Sequence, residues 1–227
     1  MLPDQVDALF ASGQSTDVPL IAGWNSNEAT PYPQFAFGST AAEFRARAQR
    51  MYGDLADRAL AVYPVSTDED AQRLSYQPMT DGFFGWQIYS LVRAHHAAGQ
   101  AKTFVYHFTR TPPYYPDQHY LELDPPERFG AYHGSEQVYF YNTLDALPRP
   151  YTSVDRTLAD TASWYLINFA STGDPNEGPH AGLAKWPPLA GPDGPVQYLS
   201  ETITSGPVPN RAALEFFDQF YASARGR

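Results

Sequence analysis

Apolar residues fall along this chain in two distinct patterns, short solid runs and helically spaced positions, and the two alternate. Val18-Pro-Leu-Ile-Ala-Gly23 is nearly all apolar and closes on Gly23 and the polar Asn25. That pattern predicts a strand buried on both faces, with functional residues beyond its C-terminal end. Thr40-Ala-Ala-Glu43 reads as a capping box opening a helix whose Phe44, Ala48, Met51 and Tyr52 share a face. A short helix is expected from Asp54 to Tyr63, and another from Thr67, interrupted by Pro78. Phe84, Ile88, Leu91 and His95 stand at helical spacing within Thr80–Ala98, with Gly99 as the stop. Thr103–Phe108, β-branched and aromatic, follows as a strand.

Beyond that strand, Pro112 to Ala131 has no periodicity and is rich in Pro, Tyr and Asp, which predicts a long, functional loop. Ser135–Leu144 is compatible with helix or extended chain. Thr157-Leu-Ala-Asp160 is expected to cap a helix carrying Leu158, Ala162, Tyr165 and Phe169 and ending near Gly173. Pro and Gly make Gly173–Pro195 a loop. Val196–Leu199 then reads as a small strand and Ala212–Ala224 as a closing helix. Helix into strand after short turns is the rhythm of an α/β fold. About three strands and five or six helices are too few strands for a complete doubly wound sheet.

Composition narrows the possibilities. The 227 residues are 43% hydrophobic and 15% aromatic, ample for a buried core. A formal net charge of -10 makes nucleic acid an unsuitable partner and an anionic membrane a poor one. With no cysteine there is no disulfide, thiolate nucleophile or cysteine metal site. No apolar run reaches the roughly 18 residues of a membrane span. The stretch Met1–Gln14 lacks the basic-then-apolar order of a signal peptide. Cytoplasmic and secreted locations both remain open.

Two residues stand in contexts suited to hydrolytic chemistry. Glu28 lies just beyond the first strand, where sites form in open α/β sheets; read alone, it also fits a helix N-terminal or surface carboxylate. His133, between Gly130 and Gly134, has the side chain that serves most often as a general base; read alone, it also fits an ordinary loop histidine. His95 and His96 are adjacent and cannot chelate one metal from a helix face, and no HExxH or aspartate cluster occurs, so neither metal nor cofactor is expected. A triad also needs a nucleophile and oxyanion donors. The chain has no G-x-S-x-G elbow and no Gly-Gly pair. Ser135, a neighbour of His133, is too close in sequence for ordinary triad geometry.

Four segments together resemble the type-B carboxylesterases, the family of para-nitrobenzyl esterases and cholinesterases. They are Pro19–Glu28, which matches P-x-x-x-G-x-N-x-x-E but carries Ala29 where the family prefers glycine; Thr80–Phe108; Gly130-Ala-Tyr-His-Gly-Ser-Glu136; and Trp164–Asn176 with Trp186-Pro187 behind it. The resemblance implies the C-terminal portion of an α/β-hydrolase fold across residues 1–227, few strands with several packed helices, and no nucleophile-bearing N-terminal part. It implies an ester hydrolase without cofactor, in which Glu28 orients His133, His133 is general base and acid, and Glu136 supports them from behind. The alternative is a catalytically inactive remnant or interaction module of the same fold. The expected partners are a small or aromatic ester, suggested by Phe83-Phe84 and Tyr114-Tyr115, and a complementing N-terminal half, or self-association through an exposed sheet edge.

Overall fold

A computed structural model describes residues 6–121 and 123–225, so part of the N-terminal stretch read for a signal peptide lies outside the described residues. Its elements in chain order begin with α1 (Val6–Ala11), β1 (Leu20–Asn25), α2 (Ala41–Tyr52), α3 (Ala56–Val62), α4 (Asp68–Leu74) and a single turn, α5 (Gln77–Met79). A π-helical segment, Thr80–Gly85, leads into α6 (Trp86–Ala98), then β2 (Thr103–Phe108) and α7 (Gln137–Phe140). α8 (Ser153–Thr172), β3 (Val196–Leu199), β4 (Thr204–Gly206) and α9 (Arg211–Arg225) follow. The four strands form one sheet in the order β1-β2-β3-β4, parallel except for β4.

The period-2 alternation of strand side chains divides the interior into two cores. Trp24 of β1, Val105 of β2 and Val196 of β3 pack with α2, α6 and α9 through Phe44, Tyr89, Val92 and Phe217. On the opposite face Phe104, Phe108 and Leu199 pack with Tyr139, Leu158, Tyr165 and Trp186. Gly23 faces this second side, and its lack of a side chain is a requirement of register: it pairs with Tyr106, and a Cβ there would come within 2.3 Å of the Tyr106 carbonyl oxygen.

Several expectations need correction. β1 is not buried on both faces: Leu20–Gly23 are partly exposed, because β1 is the outermost strand and has no second ladder among the described residues. Met51 is exposed, off the face shared by Phe44, Ala48 and Tyr52. In α6 the buried residues are Trp86, Tyr89, Val92 and His95; of the expected face, His95 is buried, Ile88 packs on the core partly exposed, and Leu91 is partly exposed. The long helix starts at Ser153, capped by a Thr152–Asp155 capping box, and Thr157 lies inside it with its hydroxyl bonded to the Ser153 carbonyl. β4 has no apolar run and was not anticipated.

The π segment is held by a carboxylate. Asp81 is fully buried and accepts hydrogen bonds from Tyr63 Oη (2.9 Å), Gln77 Nε2 (2.9 Å) and Asn210 Nδ2 (3.0 Å). Burial pushes its pKa up to about 6, against the three hydrogen bonds, which pull it down. Asp81 thereby joins α3, α5 and the start of α9 to the segment that reaches the site described next.

The tight β1–β2 contact generates a prediction. Gly23→Ala must push the two strands apart or shift their register, and is expected to cost about 1–3 kcal/mol, as overpacking does. Urea denaturation followed by circular dichroism measures it, and an unchanged midpoint would refute the close approach.

Candidate active site

Two loops meet beyond the C-terminal ends of β1 and β2. The first runs from Asn25 to Tyr32, directly out of β1. The second, Phe129–Glu136, ends the long irregular stretch that follows β2. They are joined as a short continuation of the sheet: Asn27 and Tyr132 form an isolated parallel bridge, and Asn27 N–H donates to the Ala131 carbonyl at 3.1 Å. Asn27 Oδ1 accepts from Ala131 N–H at 3.1 Å. Gly130 makes this possible, with φ +59° and no side chain to collide with Asn27. Thr30 Oγ1 donates to the Phe129 carbonyl at 2.7 Å, and Ala29 N–H donates to Thr80 Oγ1 of the π segment at 3.1 Å.

This stitching brings Glu28 and His133 together. Glu28 Oε2 lies 2.7 Å from His133 Nδ1, while Glu28 Oε1 accepts the Asn25 backbone N–H at 2.7 Å. The Glu28 side chain is 8% exposed and that of His133 is 49% exposed. The acid is therefore buried behind a base that faces outward. Burial raises the Glu28 pKa and the charge of Glu136 adds to the rise, while the Asn25 N–H and His133 lower it. The balance lies above the ordinary carboxylate value. His133 Nε2 makes no hydrogen bond among the described residues. Phe84 and Tyr32 flank the imidazole, with ring centroids 5.1 and 6.0 Å away.

Glu136, expected to support the pair, does so through Asn25 rather than through the histidine. Asn25 Nδ2 donates to Glu136 Oε2 at 2.5 Å and to the Tyr132 carbonyl at 2.8 Å. One buried side chain thus ties the end of β1 to the backbone just before His133. An amide closing an apolar strand is the one sequence signal for this role of Asn25. No local pattern marks Thr30, Thr80 or Tyr32. Phe84 was assigned to a helix face; the π turn instead sends it towards His133.

The other candidates fall elsewhere. Ser135 is buried, and its hydroxyl has no hydrogen-bond partner among the described residues, so it is not bonded to His133. His95 bridges Thr103 Oγ1 (2.7 Å) and the Val18 carbonyl (2.9 Å), a structural role. His107 is buried beside Trp24, and desolvation drives its pKa down to about 4. His119 pairs with Asp124 on the surface, and His180 stacks on Trp164. Among the described residues no group of three or more His, Asp or Glu is placed to hold a metal, and no helix is long and apolar enough to cross a membrane.

A carboxylate on Nδ1 fixes the neutral imidazole with its proton on that nitrogen, leaving the Nε2 lone pair outward as a proton acceptor. When Nε2 takes a proton, Glu28 stabilises the resulting charge. The arrangement can thus act as an oriented general base towards a group placed against its exposed edge.

Comparison with known proteins follows the same line. The model of the carboxylesterase family matches residues 1–216. Bile salt-activated lipase of Rattus norvegicus is 33% identical over 116 residues, 50% of this chain and 17% of the lipase. Its Mus musculus counterpart is 28% identical over 176 residues, 72% of this chain and 27% of the lipase. The human protein is 35% identical over 94 residues, 40% of this chain and 11% of the lipase. The chain thus spans well under half the length of these relatives. A solved PNB esterase superposes with a TM-score of 0.65 at 22% identity, covering 95% of this chain and 41% of that one. The shared fold is the α/β-hydrolase fold.

Because the raised Glu28 pKa means that the folded state binds its proton more tightly than the unfolded state, stability derived from this group is present below the unfolded pKa and lost as pH rises through the folded one. Glu28→Gln is therefore expected to gain stability relative to the parent between pH 4.5 and 7. Urea midpoints of both proteins at the two pH values test this, and a variant that loses ground as pH rises would contradict it.

Proposed function

This chain belongs to the carboxylesterase family, and on that premise we propose that it supplies the acid and the base of a Ser-His-Glu ester hydrolase. Glu28 is the orienting acid and His133 the base. The serine and the oxyanion donors come from a nucleophile-bearing part with a G-x-S-x-G elbow, which the 227 residues do not contain. In this reading the chain is the C-terminal portion of the catalytic domain. The observation that carries the proposal is the 2.7 Å bond from a buried carboxylate to Nδ1 of an imidazole whose other edge is free.

The chemistry follows from that geometry. His133 Nε2 accepts the serine hydroxyl proton as the oxygen attacks the ester carbonyl, and Glu28 stabilises the imidazolium. Collapse of the tetrahedral intermediate breaks the ester bond, and the Nε2 proton passes to the departing alkoxide. Water then repeats the sequence on the acyl-enzyme, releasing the carboxylic acid and restoring the serine. No cofactor takes part. Phe84 and Tyr32, beside the imidazole, favour small or aromatic esters.

The complementing part is proposed to lie along the outer edge of β1. That edge has no partner strand among the described residues, and unpaired N–H and C=O groups are a template for pairing. A cavity of about 490 Å³ opens beside it between Ile21, Phe140, Leu166 and Phe169. Self-association through the same edge is the outcome when the complement is absent.

Hydrolysis of para-nitrophenyl acetate tests the assignment. Activity is expected only when the chain is joined or mixed with a serine-bearing N-terminal part of the family. His133→Ala should then lower it by about 10³-fold or more. Activity of the mixture that survives His133→Ala would remove the histidine from the mechanism. Activity of the chain alone that His133→Ala abolishes would show that it carries its own nucleophile.

A further inference from the structure

Beside the His133 loop, Pro31, Tyr114, Tyr120, Phe129, Tyr132 and Arg149 line an open cavity of about 200 Å³. Its walls are largely aromatic. Arg149 is the one charged side chain in this lining. Its guanidinium lies 4.3 Å from the centroid of the Tyr114 ring and 5.8 Å from that of Tyr132. It donates to the Tyr132 hydroxyl at 2.9 Å and to the Pro113 carbonyl at 3.3 Å. Tyr151 also stands nearby.

All these neighbours are neutral in their ordinary state. Among the described residues no carboxylate reaches Arg149, although acids outnumber bases 25 to 15 in the sequence. Of the other half-buried arginines, Arg93, Arg110 and Arg211 are met by Asp218, Asp155 and Glu215 at 2.6, 2.8 and 2.9 Å, and Arg47 donates to the Gln34 carbonyl. A guanidinium withdrawn from water without a counter-charge is costly, and it is relieved by an anion that its planar fork can grip. The cavity is smaller than the roughly 300–1,000 Å³ of sites for drug-sized ligands, which limits the occupant to about one ring.

We propose that this cavity is a binding site for a small aromatic carboxylate, with the carboxylate on Arg149 and the ring lying against Tyr120 and Phe129, whose own rings pack edge to face at 5.6 Å. Charge selects the anion, and the aromatic walls select a flat apolar body over a hydrated one such as acetate. The site is distinct from the Glu28–His133 pair and does not depend on its catalytic role. It is nonetheless mechanically close, since Tyr132 both accepts the Arg149 hydrogen bond and precedes His133.

Calorimetric titration of the chain with benzoate, benzamide and acetate separates the contributions. Benzoate is expected to bind saturably and at least tenfold tighter than either benzamide, which lacks the charge, or acetate, which lacks the ring. Arg149→Gln should weaken benzoate at least tenfold. Intermolecular NOEs from benzoate to the Tyr120 and Phe129 rings locate the site in the unsubstituted protein, even where the variant fails to fold. Equal binding of benzoate and benzamide, undiminished binding by folded Arg149→Gln, NOEs to other residues, or no saturable binding would each overturn the proposal.

Discussion

A buried carboxylate is tolerated only where donors meet it, and Glu28 satisfies that condition by drawing two distant loops to one point. One donor comes from its own loop, the Asn25 N–H, and the other from His133. The rest of the site is arranged so that the second donor is always in reach. Asn25 holds the backbone of Tyr132, Asn27 bridges Ala131, and Thr30 anchors Phe129. The imidazole is thus met by the acid at Nδ1, and its Nε2 edge faces away from it.

That arrangement depends in turn on the sheet. Register between β1 and β2 sets Asn25 opposite Phe108, so both strands end at one level and their loops leave together. Gly23 allows the strands to approach, and Asp81 secures the π segment from which Thr80 and Phe84 extend. The order of causes runs from strand register to loop junction to the orientation of one histidine.

Much of this arrangement is legible in the amino-acid sequence. A solid apolar run marks β1, β-branched and aromatic residues mark β2, and a capping box at Thr40–Glu43 marks the start of α2. Glu28 and His133 were singled out by where they fall relative to those strands, although each alone fits a surface role. Other features were not readable, for physical reasons. The π turn at Thr80–Gly85 has no periodic signature, so the direction of Phe84 could not follow from spacing. Thr30 and Thr80 act through hydrogen bonds to backbone groups, which any threonine can make. The partial exposure of β1 depends on what lies beside it, a property no run of residues encodes.

The account turns on Glu28 fixing the tautomer of His133, and ¹⁵N NMR of the histidine ring nitrogens measures that directly. It predicts a neutral imidazole protonated at Nδ1, with an unprotonated Nε2, and a loss of that preference in Glu28→Gln. A His133 protonated at Nε2, or a tautomer unchanged when Glu28 is replaced, would contradict it.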